Sequence, residues 1–388
     1  MINNIIGNVI ASGSNVGRKL ISFESGKIVN IRDVTEEDSS DFNTMDFGDA
    51  YISAGFIDLH VNGAGDRIFQ FCKRSEDADA IFAALAKAGT AYAVPVISAT
   101  DIEEYRAIRN FARPYVRSQR QMLGLHFEGP FINEGKVGFG RQDCVGDGAV
   151  QSRDVYYDLP EDMKVLMTIA PEALSFPDAL QMIKDGVILS FGHTESSAEE
   201  CRNFVDVGVR YCTHLFNGMP PVSGRNPGLT GVCLSSDKVT VSLILDGHHL
   251  ANETINLVWA MKRSDRVCLI SEGMPPLEGS LPDFSYRDIY IQTRPDGSLL
   301  DQNGALSGTA VSQMKMLKRL IATTGARVDK AVNAVTKAPA SVLGLENSIG
   351  DIRVGFAASF SVFSRELEPA ATIVEGEIKW CRDKDLTQ

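Results

Sequence analysis

Along most of the chain, short apolar runs alternate with stretches in which apolar residues recur every three or four positions. The runs lie near 55–60, 91–97, 121–127, 164–169, 187–193, 209–214, 238–246 and 267–272, and several (YAVPVIS, VLMTIA, VILSF, VCLIS) are almost continuously apolar. Continuous apolarity suits strands covered on both faces, as in a parallel sheet. Helical segments lie between them, for example 77–88, 177–184, 196–207 and 252–263. Ser196-Ser197-Ala198-Glu199 carries the chemistry of a capped helix start. Eight strand–helix alternations predict an α/β fold, a closed (β/α)8 TIM-type barrel, over an open doubly wound sheet. No Gly-x-Gly-x-x-Gly follows the first strand to support a dinucleotide site.

The two ends break this pattern. Residues before about Ala54 read as short strands joined by polar turns (IIGNVIAS, KLISFESG, KIVNIRDV), with the acidic stretch 36–41 as a solvated turn. After a long connection come two helices near 309–323 and 328–343, then a second β-rich region over about 349–383. The expectation is that 1–53 and 349–388 pair into one small, discontinuous β-sandwich domain, and that 54–348 form the barrel.

Composition narrows the function classes. With 44% hydrophobic and 23% charged residues, the 388-residue chain can bury a large core. The formal charge is −12 and no Lys/Arg run could track phosphates, which argues against a nucleic-acid partner. A small phosphorylated ligand stays open, because one or two placed arginines can hold it. Seven scattered cysteines without a Cys-x-x-Cys pair indicate neither a zinc ribbon nor a disulfide framework. The N-terminal stretch lacks a basic region followed by a long apolar run, and no 18-residue apolar run occurs, so the expectation is a cytoplasmic protein without a membrane partner.

The chemistry concentrates in six histidines, each near the end of a strand-like run: His60, His126, His193, His214, His248 and His249. Carboxyl ends of barrel strands converge on one face, where active sites are built. Glu128, His193 and His214 end the third, fifth and sixth predicted strands. Two imidazoles and a carboxylate make a ligand set for Zn²⁺, or for Fe²⁺, Mn²⁺ or Ni²⁺, with a position left for water. His60 and Asn62 share one face of the extended first strand, and His60 is open to two readings, ligand of this or a second ion, or holder of a water. Glu272 ends the eighth strand, where a carboxylate can take a proton from an attacking water and return it to a leaving group. Arg225 and His249, in the loops after strands six and seven, are the candidates for holding an anionic group. His126 and His248 read as structural or supporting.

At these residues the chain resembles the amidohydrolase superfamily, and within it the N-acetylglucosamine-6-phosphate deacetylases. The segments that carry the resemblance are GFIDLHVNG, GLHFEGPFIN, Gly192-His193-Thr194, THLFNGMPP with Arg225-Asn226-Pro227-Gly228, Asp246-Gly247-His248-His249, LSGTA at 306–310 and the closing IGDIRVGFAASFSVF. The resemblance spans nearly the whole chain. It implies metal-dependent hydrolysis of an N-acetyl group, giving the amino-sugar phosphate and acetate. It also implies a metal on Glu128, His193 and His214, and sugar-phosphate contacts from Asn217, Gly218, Arg225 and His249, with a substrate-lining loop near Leu306. A homodimer, with Arg225 and His249 near the neighbouring subunit's site, follows from it too.

Three departures bear on the substrate. Ser271-Glu272-Gly273 stands where the family has Thr-Asp-Ala, lengthening the side chain by up to one C–C bond, ~1.5 Å. Gly138-Phe139-Gly140 stands where an orienting histidine is usual, which makes Gly140 a substrate-facing candidate. Val222-Ser223-Gly224 stands where a histidine-bearing loop is common. Two other readings therefore remain: a related amidohydrolase acting on another N-acyl amino sugar or a cyclic amide, and a sugar-phosphate-binding protein with weakened catalysis.

Overall fold

The apolar runs pair in parallel, in sequence order, around a barrel. Its strands are Phe56–Val61, Thr90–Ser98, Gly124–Glu128, Lys164–Ile169, Ile188–Phe191, Tyr211–Cys212, Thr240–Leu243 and Val267–Leu269. The computed structural model describes residues 3–38, 41–146 and 152–383. Every residue of the first three strands is buried, as their unbroken apolarity requires. Helices Ser75–Lys87, Ile102–Ser118, Phe176–Lys184, Ala198–Val207, Gly228–Ser235, Asn252–Met261 and Gln313–Thr324 accompany them. The start at Ala198 is a full capping box: the Ser197 hydroxyl accepts the Glu200 N–H, and the Glu200 carboxylate accepts the Ser197 N–H.

Both ends of the chain build a second sheet. Its seven strands run in the order Glu377–Cys381, Pro369–Val374, Phe360–Phe363, Thr44–Ala54, Asn4–Ala11, Ser14–Glu24, Lys27–Asp33. The sheet curls on itself, so that Phe23 meets Phe360, two strands removed, at 6.1 Å between ring centroids. The enclosed cluster includes Ile5, Ile21, Met45, Ile52, Val362 and Ile373, and the packing is sandwich-like. Thr44–Ala54 is not legible as an apolar run (TMDFGDAYISA), because its first half is only partly covered. Of the acidic turn before it, Ser39 and Ser40 lie outside the described residues, as do 1–2 and 384–388 at the ends of this unit.

Two elements depart from the sequence expectation. The single helix expected over 328–343 is three short pieces, Val328–Ala331, Val332–Val335 and Lys337–Val342, restarting after Thr336 at φ −129°. Pro339 brings no N–H for the preceding turn, so the chain begins a new helix instead of continuing the old one. The long connection after strand eight contains a three-stranded antiparallel meander, Asp283–Tyr286, Ile289–Thr293 and Leu299–Asp301.

The barrel closes between its eighth and first strands, where the ladder is thin: the only bridge joins Val61 to Gly273 among the described residues. Buried side chains complete it. The Gln313 amide donates to Ile57 O at 2.9 Å and Leu269 O at 2.8 Å, while its oxygen accepts from the Thr90 hydroxyl at 3.2 Å. Asp58 accepts from Ser271 N across the same seam. Gln313→Met keeps the volume but strips two buried carbonyls of their donor. It should lower unfolding stability by roughly 2–5 kcal/mol, read as a shift in denaturant midpoint at unchanged slope.

Candidate active site

Glu128, His193 and His214 converge at the carboxyl end of the barrel. Glu128 is the last residue of the third strand; His193 and His214 each follow a strand by two residues, with positive φ of 49° and 33°. Glu272, beyond strand eight, has φ 46°. Left-handed backbone disfavours residues with a Cβ, so its recurrence at these three positions marks a site held in place by its surroundings.

The three facing atoms form a near-equilateral triangle. Glu128 Oε1 lies 3.0 Å from Nε2 of His193 and 3.0 Å from Nε2 of His214, and the two Nε2 atoms are 3.0 Å apart. An ion bonded at about 2.0–2.1 Å to three ligands in tetrahedral geometry spaces them about 3.3 Å apart. Among the described residues, this is the one group of three such side chains with ligand atoms within 4.8 Å of one another. Nδ1 of His193 donates to Lys136 O at 2.5 Å, which leaves the Nε2 lone pair for the centre of the triangle. Three lone pairs aimed at one point suit a cation and repel one another without it.

The protonation pattern agrees. Burial would raise the Glu128 carboxyl, but His193 and His60 outweigh it and hold it well below the ordinary carboxylate range. Burial opposes charge on His193, yet the Glu128 carboxylate keeps its proton affinity above the ordinary imidazole value. Burial lowers His214, helped by His193, and pushes His60 far down. A carboxylate held ionised beside buried imidazoles favours positive charge at the centre of the triangle, which a divalent cation can supply.

Around this floor is a cavity of about 380 Å³. Its lining includes Asn217, Gly218, His249, Leu306 and Glu272 of the residues singled out in the sequence. The His249 ring is aimed by Asp246, whose Oδ2 accepts from Nδ1 at 2.7 Å. Glu272 is half-buried, its Oε2 is shielded from solvent without a hydrogen-bond partner, and desolvation with Glu128, Asp246 and Asp58 pushes its carboxyl well above the ordinary range. His60 is fully buried with both ring nitrogens unpartnered, and Nε2 stands 3.8 Å from Glu128 Oε1. Asn62 is also buried with its amide unpartnered, but does not line the cavity. His126 uses both nitrogens elsewhere, on Leu59 O and the Thr168 hydroxyl, and is structural.

Two candidates stand apart within the single chain. Arg225 is exposed in its loop and does not line the cavity. Gly140 lies behind the lining, where a Cβ would meet Ala99 at 2.9 Å, and its neighbours Gly138 and Phe139 face the cavity instead. Gly138 and Gly218 pack on either side of the His193 ring: added Cβ atoms would come within 3.0 Å of Cε1 and 3.3 Å of Nδ1. Both have positive φ, 60° and 63°. The sequence flagged this loop only through Gly138-Phe139-Gly140 standing where an orienting histidine is usual. No comparable signal marked Ile289 and Asp301, which the meander brings to the cavity lining.

Metal-free protein should take up about one divalent ion per chain with release of protons, measured by metal analysis and calorimetry in two buffers. His214→Ala should weaken that uptake by at least about 100-fold, beyond the 10–100-fold carried by outer partners of a ligand.

Comparison with known proteins gives the family and the same fold. The model of the amidohydrolase family matches residues 51–379. An N-acetylglucosamine-6-phosphate deacetylase of Haemophilus influenzae is 27% identical over 385 residues, covering 97% of this chain and 98% of that protein. An N-acetylgalactosamine-6-phosphate deacetylase of a Shewanella species is also 27% identical, over 84% of this chain and 82% of its own. In structure, the N-acetylglucosamine-6-phosphate deacetylase of Pasteurella multocida superposes with TM-score 0.90 at 24% identity, covering 97% and 99% of the two chains. The Mycobacterium smegmatis enzyme solved with N-acetyl-D-glucosamine-6-phosphate gives 0.89 at 22%, again over 97% and 99%. These two share the fold.

Proposed function

We propose that this chain, which belongs to the amidohydrolase family, hydrolyses the N-acetyl group of N-acetylglucosamine 6-phosphate, giving glucosamine 6-phosphate and acetate. The observation that carries the reading is the metal-ready triangle of Glu128, His193 and His214 on the floor of a cavity that Glu272 also lines, its Oε2 shielded and without a hydrogen-bond partner. The full-length similarity to the Haemophilus deacetylase supports the substrate class.

Glu128, His193 and His214 would hold the ion; Zn²⁺ is our assignment, and His60 the further ligand if a second ion enters. A divalent ion bound there supplies Lewis acidity to the water and the amide carbonyl. The residues do the rest. Glu272 takes a proton as water oxygen bonds to the carbonyl carbon, then delivers it to the amide nitrogen as the C–N bond breaks. Its lack of a competing hydrogen bond and its raised proton affinity suit both halves of that task. Asn217, Gly218 and Leu306 border the sugar, and the Asp246–His249 pair presents an imidazole to the phosphate. We place Arg225, exposed in one chain, over the neighbouring site of a homodimer. A phosphorylated sugar carries nearly two charges and does not cross a bilayer unaided, which supports a cytoplasmic enzyme. No described helix is long and apolar enough to cross a membrane.

The Shewanella relative, named for the galactosamine epimer at equal identity, makes that epimer the second substrate to assay. Glu272→Gln should keep its metal and lose on the order of 10²–10⁴ in kcat, read by acetate release. His249→Ala should raise KM for the 6-phosphorylated substrate by roughly tenfold or more and leave the unphosphorylated sugar unaffected. Equal effects on both sugars would remove His249 from the phosphate site.

A further inference from the structure

Glu272 has three side-chain torsions and an Oε2 without a hydrogen-bond partner, so no contact to that oxygen fixes its aim. What remains is its backbone, which sits at φ 46°, a conformation that a glutamate adopts only when its neighbours impose it. Those neighbours are well defined. Ser271 N donates to Asp58 Oδ1 and Oδ2 at 3.2 and 3.1 Å. Ser271 O accepts from the Thr309 hydroxyl at 2.8 Å, and Glu272 O accepts from Thr309 N at 3.0 Å. Gly273 N donates to the Ser271 hydroxyl at 3.0 Å, and Gly273 O accepts from Gly63 N at 2.7 Å. The segment carrying Thr309 lies so close that a Cβ on Gly308 would stand 2.9 Å from Glu272 O. The same Asp58 carboxylate also receives His60 N at 3.2 Å, so it frames the backbone at His60 as well as at the segment carrying Glu272.

Resting on the hydrolytic reading above, we propose that Asp58, Ser271 and Thr309 are positioning residues, which set where the Glu272 carboxylate stands by clamping the backbone of residues 271–273. Glutamate suits the site because the left-handed turn, rather than the length of the side chain alone, decides where its carboxylate falls. Thr309 is the most informative member. It clamps two successive carbonyls, and its hydroxyl also accepts Val311 N at 3.0 Å, which keeps its own segment in register.

The test is a double-mutant cycle on the full-length, metal-loaded enzyme, with acetate release from N-acetylglucosamine 6-phosphate as readout. Thr309→Val removes the hydroxyl at nearly constant volume. It should lower kcat by at least about tenfold, with KM within about twofold and metal content unchanged, since misplacement by 1 Å can cost about 100-fold. Thr309→Ser should restore most of the loss. In a Glu272→Gln background, Thr309→Val should cost less than about twofold, because its effect runs through a carboxylate no longer there. An unchanged kcat, or an equal loss in both backgrounds, overturns the proposal. If Thr309→Val does not fold, the same cycle with Ser271→Ala decides it by the same criteria. If the wild type releases no acetate, the substrate reading fails alone. Crystal structures of wild type and Ser271→Ala then judge the clamp: a displaced Glu272 carboxylate supports it, and an unmoved one overturns it.

Discussion

A parallel barrel must join its last strand to its first, and in this chain that junction is made by buried side chains as much as by the backbone. Strand eight is only Val267–Leu269, and the chain then leaves the ladder to place Glu272. Each residue that leaves a ladder exposes an N–H and a C=O, and in a buried seam those groups must find partners. Gln313 takes Ile57 O and Leu269 O, Asp58 takes Ser271 N and Thr309 takes Ser271 O. Because the same groups that close the fold also border His60 and Glu272, the barrel seam and the catalytic machinery are one structure.

The cost of this arrangement shows in the site itself. His193, His214 and Glu272 adopt left-handed backbone, and polar atoms of His60, Asn62, His214 and Glu272 are buried without partners. Strain and unsatisfied polar groups each cost on the order of 1–3 kcal/mol, and they survive only where the surrounding packing overrules them. Here the surrounding packing is a barrel core from Phe56 to Leu343 that lies against the helices on its outside. The asymmetry has a chemical use. Groups kept short of partners on the buried floor of a cavity respond strongly to a cation and to a polar substrate.

The remaining elements shape access. The curled terminal sheet runs straight into the first barrel strand through Thr44–Ala54 and anchors it at Ser361, whose hydroxyl accepts Phe56 N. The meander after strand eight carries Ile289 and Asp301 to the cavity wall, and Phe139 joins them there, packed on the meander's Tyr286 at 4.8 Å.

The eight barrel strands were legible in the chain because each is a buried run whose apolarity is continuous, and the floor of the site because histidines and a glutamate end those runs. The histidine count alone left roles open; His126 stood one strand step from the candidate ligands, and in the fold it is spent on Leu59 O and Thr168 while His193 faces Glu128. Local pattern could not see Thr44–Ala54, half-covered and without alternation, or the meander. Hydrophobic periodicity reports which residues avoid water, so the chain by itself determined the barrel and the kinds of ligand it offers. Which nitrogens converge, how Gly138 and Gly218 flank His193, and how Asp58 and Thr309 frame Glu272 were decided by tertiary structure. Those relations join residues up to 213 positions apart (58 to 271), and only closure of the barrel brings them within hydrogen-bonding reach.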